Sequence, residues 1–90
     1  MKYFEWNEEK NQILKEERNI SFEEIIFAIN NDYLVDVIVN PKNKKYSNQA
    51  MFVVEIEKYI YLVPFVEDDE KYFLKTIYPS RKATDKYLGK

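Results

Sequence analysis

Neither cysteine nor histidine occurs in the 90 residues of this chain. Without cysteine there is no disulfide framework, no thiolate metal site and no thiol nucleophile, which is in keeping with a reducing interior. Without histidine the usual near-neutral general base is missing, and so is the commonest zinc ligand. Acid–base chemistry is left to Glu, Asp, Lys, Tyr or water. One glycine and three prolines supply little material for hinges, and no linker, repeat or low-complexity tract divides the chain. No apolar run approaches the ~18 residues of a membrane helix. The opening Met1-Lys2-Tyr3-Phe4-Glu5 is too polar and too short for a signal peptide, so the expected location is the cytoplasm.

What is present is a globular composition. Hydrophobic residues make up 46% and aromatics 17%, with eight Tyr and six Phe, far from the signature of disorder. The length predicts one domain spanning residues 1–90. A chain this short buries roughly 60–70% of its unfolded surface, and large flat side chains fill such a thin core with few residues. The net charge of −2 is unevenly spread: residues 51–70 carry one basic and six acidic side chains, residues 71–90 six basic and one acidic. A pI near 5.2 argues against non-specific nucleic-acid binding. The basic C-terminal quarter is the one stretch suited to phosphates.

Periodicity and caps predict the elements. Residues 2–6 read as a short strand, and Asn7 caps a first helix to about Glu17 whose apolar face is only Ile13 and Leu14. Ser21 and Glu24 form a capping box, with Ile20 and Ile25 as hydrophobic staple. Phe22, Ile25, Ile26 and Ile29 then mark one face of a second helix, which Asn30-Asn31 ends through a left-handed cap. Strands follow at Leu34–Val39, Ala50–Ile56 and Tyr59–Val66, the last two a hairpin about Glu57-Lys58, then at Tyr72–Tyr78. Pro64 inside a strand predicts a bulge or an unpaired backbone position. Ser80 caps a last helix ending at Gly89. Segregated helices and strands give the class α+β: a small single domain with a mostly antiparallel sheet packed on an N-terminal helix pair, plus a short C-terminal helix.

Three stretches bear on function. Phe4-Glu5-Trp6-Asn7-Glu8-Glu9-Lys10-Asn11 resembles the F-x-W-D-x-x-K-x opening of the BrnT toxins. Arg18-Asn19-Ile20-Ser21-Phe22-Glu23-Glu24 resembles their H-G-V-S-F-E-E segment, and Ser80-Arg81-Lys82-Ala83-Thr84 their closing (S/A)-R-K-A-T. The resemblance implies a RelE-like fold, mRNA cleavage, and tight inhibition by a ribbon-helix-helix antitoxin. The chain departs from the pattern in having Arg18 where the family has histidine and Asn19 where it has glycine. An arginine usual on the last strand aligns near Lys75 or Thr76.

RNA cleavage without a metal requires a deprotonated 2′-hydroxyl, a stabilised phosphorane and a protonated leaving oxygen. Cations at the phosphate supply the second requirement. Arg81 and Lys82 open the last helix, where free N–H groups and the positive dipole end attract phosphate; otherwise they are ordinary exposed residues, unfavourably placed against that dipole. Lys75, mid-strand, is a catalytic or phosphate contact, or a structural partner of a carboxylate such as Glu55. Tyr78 stacks on a base or positions a proton, or belongs to the core. Trp6 and Lys10 are RNA contacts, or respectively a packing residue and a solvated charge. Lys45 and Tyr46, in the basic loop with Lys42 and Lys44, complete the RNA-binding candidates. Glu23 and Glu24 are explained by the capping box. The run Glu67-Asp68-Asp69-Glu70 lacks calcium-loop spacing and reads as a solvated turn. No metal site and no cofactor are expected. The reading is a metal-independent endoribonuclease toxin with Arg81, Lys75 and Tyr78 as catalytic residues. The competing reading is a non-enzymatic binding module of the same fold, a gyrase-inhibitor-like toxin or an inert antitoxin-docking protein.

Overall fold

Asn11 and Pro64, one side chain with too many hydrogen-bonding groups to bury alone and one residue with too few, explain much of the chain's path. The computed structural model describes residues 2–39 and 49–89. In these the chain runs β1 (Tyr3–Trp6), α1 (Glu8–Arg18), α2 (Phe22–Asn30), β2 (Leu34–Val39), β3 (Gln49–Ile56), β4 (Tyr59–Glu67), β5 (Lys71–Leu74), β6 (Tyr78–Pro79) and α3 (Arg81–Leu88). The domain is α+β as expected.

The helix ends follow their local chemistry. The Asn7 side chain accepts the Lys10 N–H, and Asn19 closes α1 in the left-handed region at φ 54°, a place where asparagine stands in for glycine. The Ser21 hydroxyl accepts the Glu24 N–H at 3.2 Å. The end of α2 differs from expectation. Asn31 has φ −115°, and Asp32 takes the left-handed position instead, at φ 69°. The Tyr33 N–H then returns to the Ala28 carbonyl.

Asn11 fastens α1 to α2. It is wholly buried; its amide oxygen accepts the Phe22 N–H at 2.9 Å, and its amide nitrogen donates to Glu23 at 2.8 Å. A first-turn donor of α2 is thereby satisfied from the preceding helix. The bond from Asn11, more than the distant Lys15, holds the Glu23 carboxyl below its ordinary range.

The strand order is β1-β5-β4-β3-β2, with β6 beside β4 beyond the end of β5. The sheet is mostly antiparallel, as expected; the exception is β1, which lies parallel to β5. The expected single strand Tyr72–Tyr78 is corrected. β5 pairs with β4 as far as Phe65↔Leu74, and pairing resumes at Leu62↔Tyr78, so Lys75–Ile77 oppose only Val63 and Pro64. The reason is local. The Pro64 carbonyl accepts the Lys75 N–H at 2.8 Å, and on an antiparallel strand the N–H and C=O of one residue face the same neighbour. Proline has no N–H on that side, so the neighbouring strand bulges there. β4 keeps an unbroken register with β3 through Met51↔Pro64.

Directly opposed residues share a face, so the registers sort the sheet into two. One face carries Phe4, Trp6, Phe52, Val54, Val63, Phe65, Tyr72 and Leu74, which pack with Leu14, Ile20, Phe22, Ile25 and Ala28 of the helix pair into the main core. Phe52 stacks on Phe65 with ring centroids 3.9 Å apart, and Trp6 on Phe22 at 5.9 Å. The buried stripe of α2 is Phe22, Ile25 and Ala28; Ile26 and Ile29 lie at its margin. The other face buries Val53 and Ile60 completely, under α3. Thr84 of α3 accepts the Ile60 N–H at 2.9 Å, and Tyr87 donates to Asp36 of β2 at 2.8 Å. The C-terminal helix therefore lies opposite the helix pair.

The β3–β4 turn places Glu57 and Lys58 at φ 51° and 65°, positions usually held by Asn-Gly. Lys58→Gly is expected to raise stability by about 1 kcal/mol, since the left-handed conformation costs a side chain that much; denaturant midpoints measure it. Asn11→Ala should cost about 2 kcal/mol by leaving the Phe22 N–H buried without a partner, with an unchanged denaturant slope.

Candidate functional site

The break opposite Pro64 shapes a basic corner. Lys75 follows β5 at the start of the bulge, Tyr78 opens β6, and Ser80 caps α3 by accepting the Ala83 N–H at 3.1 Å. Arg81 and Lys82 then stand in the first turn of α3, which holds no acidic residue; Asp85 follows one turn on. Lys75, Arg81 and Lys82 are all exposed. None of the three has an ion pair or a side-chain hydrogen bond to another described residue. Lys75 is thus not a mid-strand charge held by Glu55: it ends the paired part of the strand with its side chain in solvent. Arg81 and Lys82, without an ion pair among the described residues, stand at the positive end of a helix dipole, an arrangement that favours an anion.

Tyr78 is half-buried and lies on the α3 face of the sheet. Its hydroxyl donates across β4 to the Met51 sulfur at 3.4 Å. A thioether is a weak acceptor, so this hydroxyl remains available to a stronger one. Below Tyr78 no described helix lies on the same face, because α3 covers only its hairpin half. Met51, Pro64, Val66 and Phe73 are half-buried there, and Tyr3 is 51% exposed. Lys71 pairs with Glu5 at 3.1 Å on this face. That bond raises the Lys71 ammonium above its ordinary range.

The structure does not bring all the sequence-derived candidates together. Trp6 and Lys10 belong to the other side of the sheet. Trp6 stacks on Phe22 and its indole N–H donates to Glu8, so it packs the α1–α2 junction, and Lys10 lies on α1 away from Tyr78. Lys45 and Tyr46, with the rest of the basic loop, lie outside the described residues. Among the described residues no three Asp or Glu side chains converge as a metal-binding set, and no helix is long and apolar enough to cross a membrane.

Two features were missed in the sequence. The alternation of Tyr3 with Phe4 and of Phe73 with Tyr72 carried the open-face aromatics, and period-two reading across the short end strands would have found them. Arg18 had no such signal. Its guanidinium donates to the Ile77 carbonyl at 2.6 Å, fastening the end of α1 to the bulge across 59 residues of chain. Compared with known proteins, the chain matches no family model, no curated protein and no solved structure.

Tyr78→Phe is expected to fold with a stability within about 0.5 kcal/mol of the parent, as befits loss of one weak bond. A larger fall in the thermal or denaturant midpoint would make the hydroxyl a structural element rather than an available one.

Proposed function

We propose that this chain is the toxin of a toxin–antitoxin pair, a cytoplasmic endoribonuclease that cleaves mRNA without a metal or cofactor. One observation carries the reading: three exposed cations without an ion pair among the described residues, Lys75, Arg81 and Lys82, stand along the segment that leaves β5 for α3, next to a sheet face that bears Tyr3, Phe73 and Tyr78. Cations that read phosphates next to aromatics that stack on bases are the two halves of single-stranded RNA recognition. The resemblance of the three sequence stretches to BrnT toxins supports the same reading. Two of those stretches meet at the α1–α2 junction through Trp6, Asn11 and Phe22, and the third forms the basic corner.

In the reaction the 2′-hydroxyl gives its proton to water and its oxygen attacks the adjacent phosphorus, a 2′,3′-cyclic phosphate forms, and the bond from phosphorus to the 5′-oxygen breaks, the leaving oxygen taking a proton from water. Arg81 grips two phosphorane oxygens with its planar fork, a geometry that lysine lacks. Lys75 adds charge at the same phosphate, and Lys82 holds the flanking backbone. Tyr78 turns its hydroxyl from the Met51 sulfur to an RNA oxygen. With no histidine or cysteine in the chain and no converging carboxylates among the described residues, the charge stabilisation comes from these cations.

Control comes from a ribbon-helix-helix antitoxin encoded alongside, which lays an acidic segment over the basic corner. Charge complementarity of this kind sets register and association rate. The competing reading, a non-enzymatic toxin or docking module, is favoured by Arg18. The position that the resemblance gives to a histidine is occupied here by a side chain tied to the Ile77 carbonyl.

Expression of the chain in a bacterial host, with mapping of RNA 5′ ends, separates the two readings. Growth arrest with new mRNA ends is expected; arrest with intact RNA and damaged DNA establishes the binding module. In the same assay Arg81→Ala should fold as the parent does and lose roughly a hundredfold in cleavage rate, the usual effect of removing one transition-state charge contact. Cleavage by the purified parent is expected to persist in EDTA. Loss on chelation with recovery in magnesium would count against the cation mechanism.

A further inference from the structure

On the side of the sheet away from the basic corner, a groove of about 590 Å³ runs between α2 and the β3–β4 turn. Ala28 and Ile56 line it, and Phe27 and Tyr33, 69% and 50% exposed, stand beside it. Its charged lining is Glu23, Glu24 and Glu57 against the single Lys58, while Glu55, opposite Ile60, belongs to the α3 face. The ring hydroxyl of Tyr61 registers this field: burial first, then the Glu57 and Glu24 charges, raise it above its ordinary range. The apolar surface continues along β2, where Val37 and Val39 share the helix-pair face but are 42% and 60% exposed. No described helix covers this strip.

The turn adds an independent observation. Glu57 and Lys58 occupy left-handed positions that glycine and asparagine fill at lower cost. Backbone strain tolerated for particular side chains is characteristic of places where those side chains have work outside the fold. Pairing of a foreign strand along β2 is disfavoured, since the register slips between Leu34 and Asp36 and the Asp36 carboxylate takes the Val37 N–H at 2.8 Å, both devices that blunt an edge.

We infer that this groove and the adjoining strip of β2 dock a cationic amphipathic helix of a partner protein. The apolar side of such a helix covers Phe27, Tyr33 and Val37, and its Lys or Arg residues meet Glu24 and Glu57. The length of the apolar strip favours a helix over a small organic cation, which needs the groove alone. The site lies on the opposite face from Arg81, and the inference does not depend on the nuclease reading.

The test uses a labelled peptide of leucine and lysine, about four helical turns long, titrated into the whole protein and read by fluorescence anisotropy. Saturable binding is expected, weakened roughly tenfold by Phe27→Ser and by the double change Glu57→Asn with Lys58→Gly. That double variant is the sharper probe, because it is expected to melt higher than the parent while binding less. Equal binding of a leucine–glutamate peptide, or binding indifferent to both variants, would overturn the proposal. So would complete displacement by spermidine, which would make the groove a small-cation site.

Discussion

A single absent hydrogen, the N–H that Pro64 cannot supply, organises the functional half of this molecule. Because the Pro64 carbonyl is still paired to Lys75, the neighbouring strand is held up to that point and released beyond it. The three residues Lys75–Ile77 then span a gap that two residues face, and the chain re-enters the sheet only for Tyr78 and Pro79. Several consequences follow from geometry alone. Lys75, the last residue held, keeps its side chain in solvent, Ile77 drops into the main core, and the carbonyl of Ile77 is left to be capped by Arg18 from α1. The chain leaves β6 on the far side of the sheet, where Ser80 starts α3 with Arg81 and Lys82 in its first turn.

Both faces of the sheet then need covering, and the described residues offer three short helices to do it. The helix pair seals one face because Asn11 locks α1 against the start of α2, so the two helices pack as one layer over Phe52, Val63 and Phe65. On the other face eight residues of α3 suffice for Val53 and Ile60 but not for the sheet beyond. The open remainder beside Tyr78, and the uncovered strip of β2 on the helix-pair side, are consequences of too little helix for the area of sheet. Surfaces left open in this way sit at opposite ends of the charge distribution: cations flank the first, carboxylates the second. The domain therefore offers two chemically distinct surfaces.

Local chemistry was legible in the residues themselves. Asn7, Ser21 and Ser80 each cap the helix expected of them, the hairpin turns at Glu57-Lys58, and Pro64 marks the one irregularity between β4 and its neighbour, because caps, turns and proline act within a few residues of chain. Periodicity likewise gave Phe22 and Ile25 to the core. What the sequence left undecided involves partners far apart along the chain. The parallel pairing of β1 with β5 joins residues nearly seventy positions apart, and nothing in either strand's pattern states its neighbour's direction. The side of the sheet chosen by α3 depends on where the bulge releases the chain. That choice separates Trp6 and Lys10 from Arg81 and Tyr78, which the sequence had placed in one site on residue type alone. Arg18 reads as an ordinary last-turn cation until the tertiary fold brings the Ile77 carbonyl within 2.6 Å. Short-range hydrogen bonding thus set the elements, and long-range burial, which only the assembled sheet defines, decided which of their side chains share a surface.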